Sequence, residues 1–199
     1  MKSFRFEPFL WIHFLGLVTL PVWLGLLAVG LAIGTPLLPF WLELGLIALI
    51  GIVPILWMQW NRPFYIFSIL AVAMKPATLT VIQRQILNRF NTKLNHGLSL
   101  ITTILLIVIF SQVNRVSLMV SDVAALFPQW HGIGLLLATL GCLGSSLFCQ
   151  VPASVMGVLL TTEDDFAQTE PLSEAEIRQG FSIVGWQVQQ ILPIFSSNP

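Results

Sequence analysis

The stretch Gly132–Val158 reads GIGLLLATLGCLGSSLFCQVPASVMGV and contains no charged residue. It lies within a longer run of 40 uncharged residues between Asp122 and Glu163. A charge at the centre of a bilayer costs about 2.5–3.5 kcal/mol, so this run predicts a membrane-spanning helix. The whole chain agrees, because only 9% of its 199 residues are charged and its mean hydropathy is +0.86. An ordinary soluble domain, of which about a quarter is charged, is therefore excluded.

Three further stretches have few or no charges. Together with the first stretch they give four predicted spans, at about residues 9–33, 37–60, 94–114 and 132–158. Each can cross a hydrocarbon layer, which requires about 20 helical residues. The apolar stretch 63–74 has only 12 residues between Arg62 and Lys75, so we expect it to be interfacial or re-entrant. The sequence predicts an all-α integral membrane protein with a four-helix transmembrane domain (1–160), which includes an interfacial segment (63–92), and a cytoplasmic tail (161–199).

The basic residues predict which side of the membrane each segment occupies. With four spans both termini share a side, and that side receives eight of the nine Lys and Arg residues, against Arg115 alone on the other. The positive-inside rule therefore places both termini in the cytoplasm or its equivalent. The first apolar run, of about 25 residues, is longer than the apolar region of a signal peptide, so we expect it to remain as a span.

A short amphipathic helix is predicted at about residues 81–90. Thr80 with Gln83 three residues later forms a capping box, and the apolar residues recur at helical spacing, at Leu79, Ile82, Ile86 and Phe90. We expect this basic helix to lie on the anionic inner leaflet. The alternative is a short stalk that extends the third span.

Small residues follow one face of the fourth span, at Gly134, Ala138, Gly141 and Ser145. Such a face lets another helix approach closely, and that helix belongs either to the same chain or to another subunit.

The tail holds six of the nine acidic residues, and its predicted helix is capped by Ser173 and Glu176. Its apolar end either lies on the membrane or docks on a partner through Phe181, Trp186, Ile191 and Leu192.

The three histidines are not spaced to bind a metal on one helix, and the sequence has no Cys-x-x-Cys pair. His13 and His96, near the inner interface, are candidate ligands for the magnesium of a chlorophyll, although an interfacial histidine with an ordinary hydrogen bond is the simpler interpretation. Glu43 is the only carboxylate inside a predicted span. It is a functional candidate that could instead pair with His131, Arg115 or a neighbouring subunit.

Several function classes lack support. There is no phosphate-binding loop, no dinucleotide fingerprint and no Gly-x-Ser-x-Gly elbow. A basic stripe with interleaved aromatic residues is absent, so nucleic acid is not an expected partner. The sequence therefore favours a protein without catalytic activity.

Three motifs carry a resemblance to a known family: Glu7-Pro-Phe-Leu-Trp-Ile-His13, Pro39-Phe-Trp-Leu-Glu-Leu44, and the long run from Pro54 through Trp57-Met-Gln-Trp60 to Ser68. Shorter matches continue to Gln187-Val-Gln-Gln-Ile-Leu-Pro193. With these motifs the chain resembles the cyanobacterial low-complexity tail membrane proteins, although it has no extended low-complexity stretch after Pro193. The resemblance implies the thylakoid or cytoplasmic membrane of an oxygenic phototroph and a photosynthetic context.

Two functions are compatible with these observations. The first is a non-catalytic accessory subunit or assembly factor of a large, photosynthetic membrane complex, with chlorophyll, carotenoid or lipid as candidate bound groups. The second is a small transporter or lipid-active enzyme that uses Glu43, Asp122 and His131. The second function requires these three residues to converge in one cavity.

Overall fold

The computed structural model is described here over residues 3–35, 38–69, 71–124 and 130–192, and of residues 114–124 only the helix is described. It is mostly helical (73%). The spanning helices are α1 (Pro8–Leu15) with α2 (Leu20–Ala32), then α3 (Phe40–Asn61), α5 (Lys93–Ala124) and α6 (His131–Leu159). Four segments of these helices are long and apolar enough to cross a membrane: Pro8–Ala32, Phe40–Asn61, Lys93–Val113 and His131–Leu159. The prediction of four helices that are long and apolar enough to span a membrane is confirmed.

The first span is interrupted ahead of Pro21. A 3-10 turn, Gly16–Thr19, separates α1 from α2, and Pro21 lies in the first turn of α2. A proline is tolerated there, because the backbone N–H groups of a first helical turn have no partner within the helix. At the other end of the bundle, α5 continues as helix to Ala124, ten residues beyond the predicted end of the third span at residue 114.

Helix α6 lies at the centre of the bundle and packs against α2, α3 and α5. The bundle core consists of apolar side chains from all four spans, including Leu27, Ile47, Phe110 and Cys142. Large apolar side chains on the outer faces remain exposed, as along α5 at Ile101, Ile104, Leu105 and Val108. The inner faces therefore hold the bundle together, and the outer faces suit lipid.

The expectation of an all-α protein is wrong in one respect, because three short strands form a sheet. These strands are β1 (Ser68–Ile69), β2 (Val72–Met74) and β3 (Trp186–Val188). The sheet order is β1-β2-β3, with β1 antiparallel and β3 parallel to β2. Strands of two or three residues are too short to show an alternating pattern, and β3 pairs across more than 100 residues of sequence. Gly185 has φ +102, and a Cβ atom there would collide with the Ala71 backbone, so that both observations favour glycine.

Segments from three parts of the chain form one folded unit at the same end of the bundle, which we call the cap (residues 3–7, 62–92 and 161–192). Phe4 stacks on Phe166 with ring centroids 4.0 Å apart. The fully buried residues Tyr65, Phe67 and Ile177 belong to the same cluster. The segment at 63–92 and the tail are thus packed together.

Two further helices of the cap begin with the predicted capping boxes. Both boxes, at α4 (Val81–Phe90) and α8 (Glu174–Gly180), are confirmed. The apolar face of α4, however, does not lie free for the membrane as expected. Ile86 and Phe90 are buried in the cap cluster, because α4 packs against α6 and against the turn that contains Phe4.

We expect Glu7→Gln to stabilise the protein at neutral pH. Burial raises the pKa of the Glu7 carboxyl, although a hydrogen bond from Gln83 opposes that shift. A carboxyl pKa that is higher in the folded state means that folding is penalised once the group ionises. The penalty is absent below the unfolded pKa and complete above the folded one. The gain in melting temperature should therefore be present at about pH 8 and vanish at about pH 4.

Glu176→Gln provides a control of opposite sign. Hydrogen bonds from the Ser173 side chain and backbone lower the pKa of Glu176. Its contribution to stability is present at neutral pH and is lost as the pH falls through the folded pKa. Glu176→Gln should therefore lower the melting temperature at neutral pH only. A Glu7→Gln effect that does not change with pH would contradict the role of burial.

Candidate functional site

The small-residue face of α6 packs against α2 of the same chain. A Cβ atom built on Gly30 would lie 2.6 Å from the Gly134 carbonyl oxygen, and one on Gly141 would lie 2.8 Å from the Trp23 carbonyl oxygen. Gly134, Ala138, Gly141 and Ser145 are all buried. The structure therefore fills this groove from within, and a partner subunit has no access to it.

Glu43 and His131 meet at the opposite end of the bundle from the cap. His131 Nε2 lies 2.9 Å from Glu43 Oε1, and the side chains are only 7% and 4% exposed. His131 Nδ1 lies 3.1 Å from the Ile33 carbonyl oxygen, and the Leu38 N–H donates to Glu43 Oε1 at 3.0 Å. We call this group the clasp, because it joins α3 and α6 to the α2–α3 turn.

Hydrogen-bond chemistry limits the protonation of the clasp. A carbonyl oxygen only accepts, so His131 Nδ1 must carry a proton and donate it to Ile33. The bond between Nε2 and Glu43 Oε1 then holds a proton on one of its two atoms. The pair is either imidazolium with carboxylate or neutral imidazole with carboxylic acid.

Gly34 allows the turn to reach His131. Its φ is +79, and a Cβ atom there would lie 2.7 Å from the His131 Cα atom.

Of the three residues named for a transporter or enzyme, Glu43 and His131 thus come together. The side chain of Asp122 lies outside the described residues.

The bundle also contains a polar seam that was not among the sites predicted from the sequence. Gln150 is fully buried, accepts from Ser99 Oγ at 3.1 Å and donates to Thr103 Oγ1 at 3.3 Å. The available signal was the spacing of Asn95, Ser99 and Thr103, which places three polar residues on one face of α5. The Gln59 amide is also buried, and neither of its polar atoms has a partner among the described residues.

The two candidate pigment ligands differ in their surroundings. His13 Nδ1 donates to the Phe9 carbonyl oxygen at 2.8 Å, and the ring lies 5.7 Å from the Phe64 ring. His13 is thus engaged within the protein. The His96 ring lies 6.3 Å from the Trp60 ring, and its buried Nε2 has no partner within the described part of the chain. His96 is therefore the better candidate ligand of the two.

The tail residues named for docking also separate into two groups. Phe181 is buried in the cap cluster, and Ile191 and Leu192 pack against it. Trp186 on β3 is 80% exposed, and the nearby Val184 is 56% exposed. Of the four named residues, the structure leaves only Trp186 fully open to a partner.

Side chains of α4 and the segment after α3 fix the tail in place through its backbone. Gln85 donates to the Thr169 carbonyl oxygen at 2.8 Å, Asn88 to that of Glu170 at 2.9 Å, and Arg89 to that of Asp165. Arg62 donates to the carbonyl oxygens of Arg178 and Phe181 at 3.0 and 3.2 Å. The cap is thus a preformed surface, because these hydrogen bonds hold the part of the tail that precedes β3.

No group of three or more metal-ligating side chains occurs among the described residues.

A family model described as low-complexity tail membrane protein-like matches residues 6–193. No curated protein and no solved structure matches the chain. The four apolar helices and the family description together identify a membrane protein.

Proposed function

Because the chain belongs to the low-complexity tail membrane protein-like family, we propose that it is a non-catalytic accessory subunit or assembly factor of a larger membrane complex. One observation carries this proposal. The cap ends in an edge strand, β3, whose Trp186 side chain is 80% exposed while the backbone around it is held by hydrogen bonds. Exposed tryptophans on a rigid surface are the residues that most often dominate protein interfaces.

An edge strand offers a second means of recognition. Among the described residues, β3 is bonded to β2 on one side only, so its other side can accept an extended segment from a partner. The small-residue groove of α6 is occupied by α2, and the proposed partner therefore binds the cap.

The resemblance to cyanobacterial proteins supports a more specific proposal, in which the larger complex is a photosynthetic complex of the thylakoid membrane. Six of the nine Lys and Arg residues lie in the described part of the cap, and this supports a cytoplasmic position for both termini. Chlorophyll, carotenoid or lipid would bind along the exposed apolar faces of the spans, with His96 as the candidate ligand of a pigment.

We expect Trp186→Ala to reduce the partner recovered with the affinity-purified protein by about tenfold or more. The complex is isolated from the native membrane in mild detergent, and co-purifying proteins are quantified by mass spectrometry. Trp41→Ala is the matched control, because Trp41 is 68% exposed but lies at the end of α3 remote from the cap. Recovery of the wild-type protein alone, or an equal loss in both variants, would contradict the proposal.

The clasp supports a second candidate function, a small transporter or lipid-active enzyme. A buried ionisable pair within a span is a typical feature of proton-handling sites. That function predicts that Glu43→Gln abolishes an activity, whereas the accessory role predicts an effect on stability alone.

A further inference from the structure

A polar cleft of about 470 Å³ lies between α4 and the tail, at the edge of the cap. Asn88, Arg89 and Thr92 line one side, and Asp165, Gln168 and Glu170 line the other. This volume is within the range of small-ligand sites, about 300–1,000 Å³.

The position of the cleft along the chain places it at the boundary of the membrane. Thr92 immediately precedes α5, the third span, and Asp165 follows the last residue of α6 by six positions. Both spanning helices therefore meet the polar headgroup layer next to the cleft. A lipid headgroup is the ligand available at high concentration in that layer.

The charges in the cleft disfavour an anionic headgroup. Its walls carry two carboxylates, Asp165 and Glu170, against one guanidinium, Arg89. Arg89 already donates through Nη2 to the Asp165 carbonyl oxygen, while its Nε is buried and has no partner among the described residues. A phosphate would thus face two carboxylates against one guanidinium, which already donates one Nη2–H to the Asp165 carbonyl oxygen.

A hydroxyl-rich headgroup matches the same groups. Each hydroxyl can donate to a carboxylate and also accept from an amide or guanidinium N–H. We propose that this cleft binds the uncharged sugar headgroup of a glycolipid. Carboxylates would accept from the sugar, and the Arg89 guanidinium and the Gln168 amide would donate to it.

Contacts with the backbone help to hold the walls of the cleft in place, so that some of the side chains that line it are not needed for its shape. Asn88 bonds the backbone carbonyl of Glu170, and this contact survives any change to the Glu170 side chain. The side chains of Gln168 and Glu170 are exposed. They can therefore be replaced with little effect on the fold.

The test uses the full chain purified in a polyoxyethylene detergent, because a detergent with a sugar headgroup would compete. Monogalactosyl diacylglycerol, phosphatidylglycerol and phosphatidylethanolamine with identical acyl chains are titrated, and binding is measured by native mass spectrometry. We expect saturable, preferential binding of the galactolipid. Gln168→Ala combined with Glu170→Ala should weaken it about tenfold, which is the effect of one charge-assisted hydrogen bond.

Asp164→Ala is the matched control, because Asp164 is an exposed acid in the same region that does not line the cleft. It should bind the galactolipid as wild type does, and all variants should keep the wild-type melting temperature. Equal binding of all three lipids, preference for either phospholipid, or an unchanged affinity in the double variant would overturn the proposal. Partner recovery is measured separately, so that the lipid site and the proposed partner function can fail independently.

Discussion

Gly30→Ala is expected to lower the free energy of unfolding by about 3 kcal/mol, because it overpacks the seam between α2 and α6. The added methyl group would lie 2.6 Å from the Gly134 carbonyl oxygen and 2.9 Å from the Ala138 Cα atom. Both contacts are with backbone, which cannot rotate away as a side chain would. The two helices would have to separate and lose dispersion contacts along their length. Thermal unfolding in detergent, followed by circular dichroism, measures the effect.

Gly25→Ala is the control for this prediction. Gly25 lies on the same helix, α2 (Leu20–Ala32), and a Cβ atom there would have no neighbour within 4 Å. The same change should be neutral or stabilise by about 0.5–1 kcal/mol, because alanine favours the helix over glycine. Similar unfolding temperatures for both variants would show that the close approach does not determine stability.

Glu43→Ala is expected to destabilise the protein by about 3 kcal/mol, because it leaves buried groups of the clasp without a hydrogen-bond partner. The His131 Nε2 and the Leu38 N–H both contact Glu43 Oε1, at 2.9 and 3.0 Å. Water does not reach this position readily, since both Glu43 and His131 are buried. The same unfolding measurement applies, with His131→Ala and the double variant completing a mutant cycle. We expect a coupling energy of about 2 kcal/mol between the two sites.

Glu43→Gln separates the two protonation states of the clasp. Glutamine cannot carry a charge, and at the position of Oε1 it places either an oxygen that accepts from the Leu38 N–H or an NH2 group that donates to His131 Nε2. If the pair is neutral, the cost should be about 1 kcal/mol, because a single hydrogen bond is lost. If it is an ion pair, Glu43→Gln should cost nearly as much as Glu43→Ala, because it leaves an imidazolium buried without a counter-charge. A Glu43→Ala variant as stable as wild type would contradict the structural role of the clasp altogether.

Local patterns in the sequence predicted the helices and their caps well. The four spans follow from the absence of charges, which the bilayer core penalises residue by residue. The capping boxes at Thr80 and Ser173 use contacts three residues apart, so that short-range sequence is sufficient to identify them. Glu43 was a candidate because it is a carboxylate within a span, and His131 was among its possible partners.

Long-range pairing accounts for what the sequence did not reveal. The face of α4 was correctly predicted to be apolar, but periodicity gives no information on whether lipid or protein covers such a face. Protein covers the apolar face of α4, because the cap brings segments that are distant in sequence onto it. Phe4 and Phe166, from nearly opposite ends of the chain, stack in the same cluster. The sheet joins Val72 to Trp186 in the same way. The polar cleft exists only because α4 and the tail meet.

The sequence by itself determined that this protein has four stretches apolar enough to cross a membrane, because the cost of burying a charge in hydrocarbon depends only on which residues occupy each stretch. Tertiary structure alone decided which surfaces remain available. It closes the small-residue groove with α2, pairs Glu43 with His131, and buries Phe181 while it leaves Trp186 exposed. These outcomes depend on close approach between residues distant in sequence, and geometry of that kind is fixed only when the helices and the cap pack together.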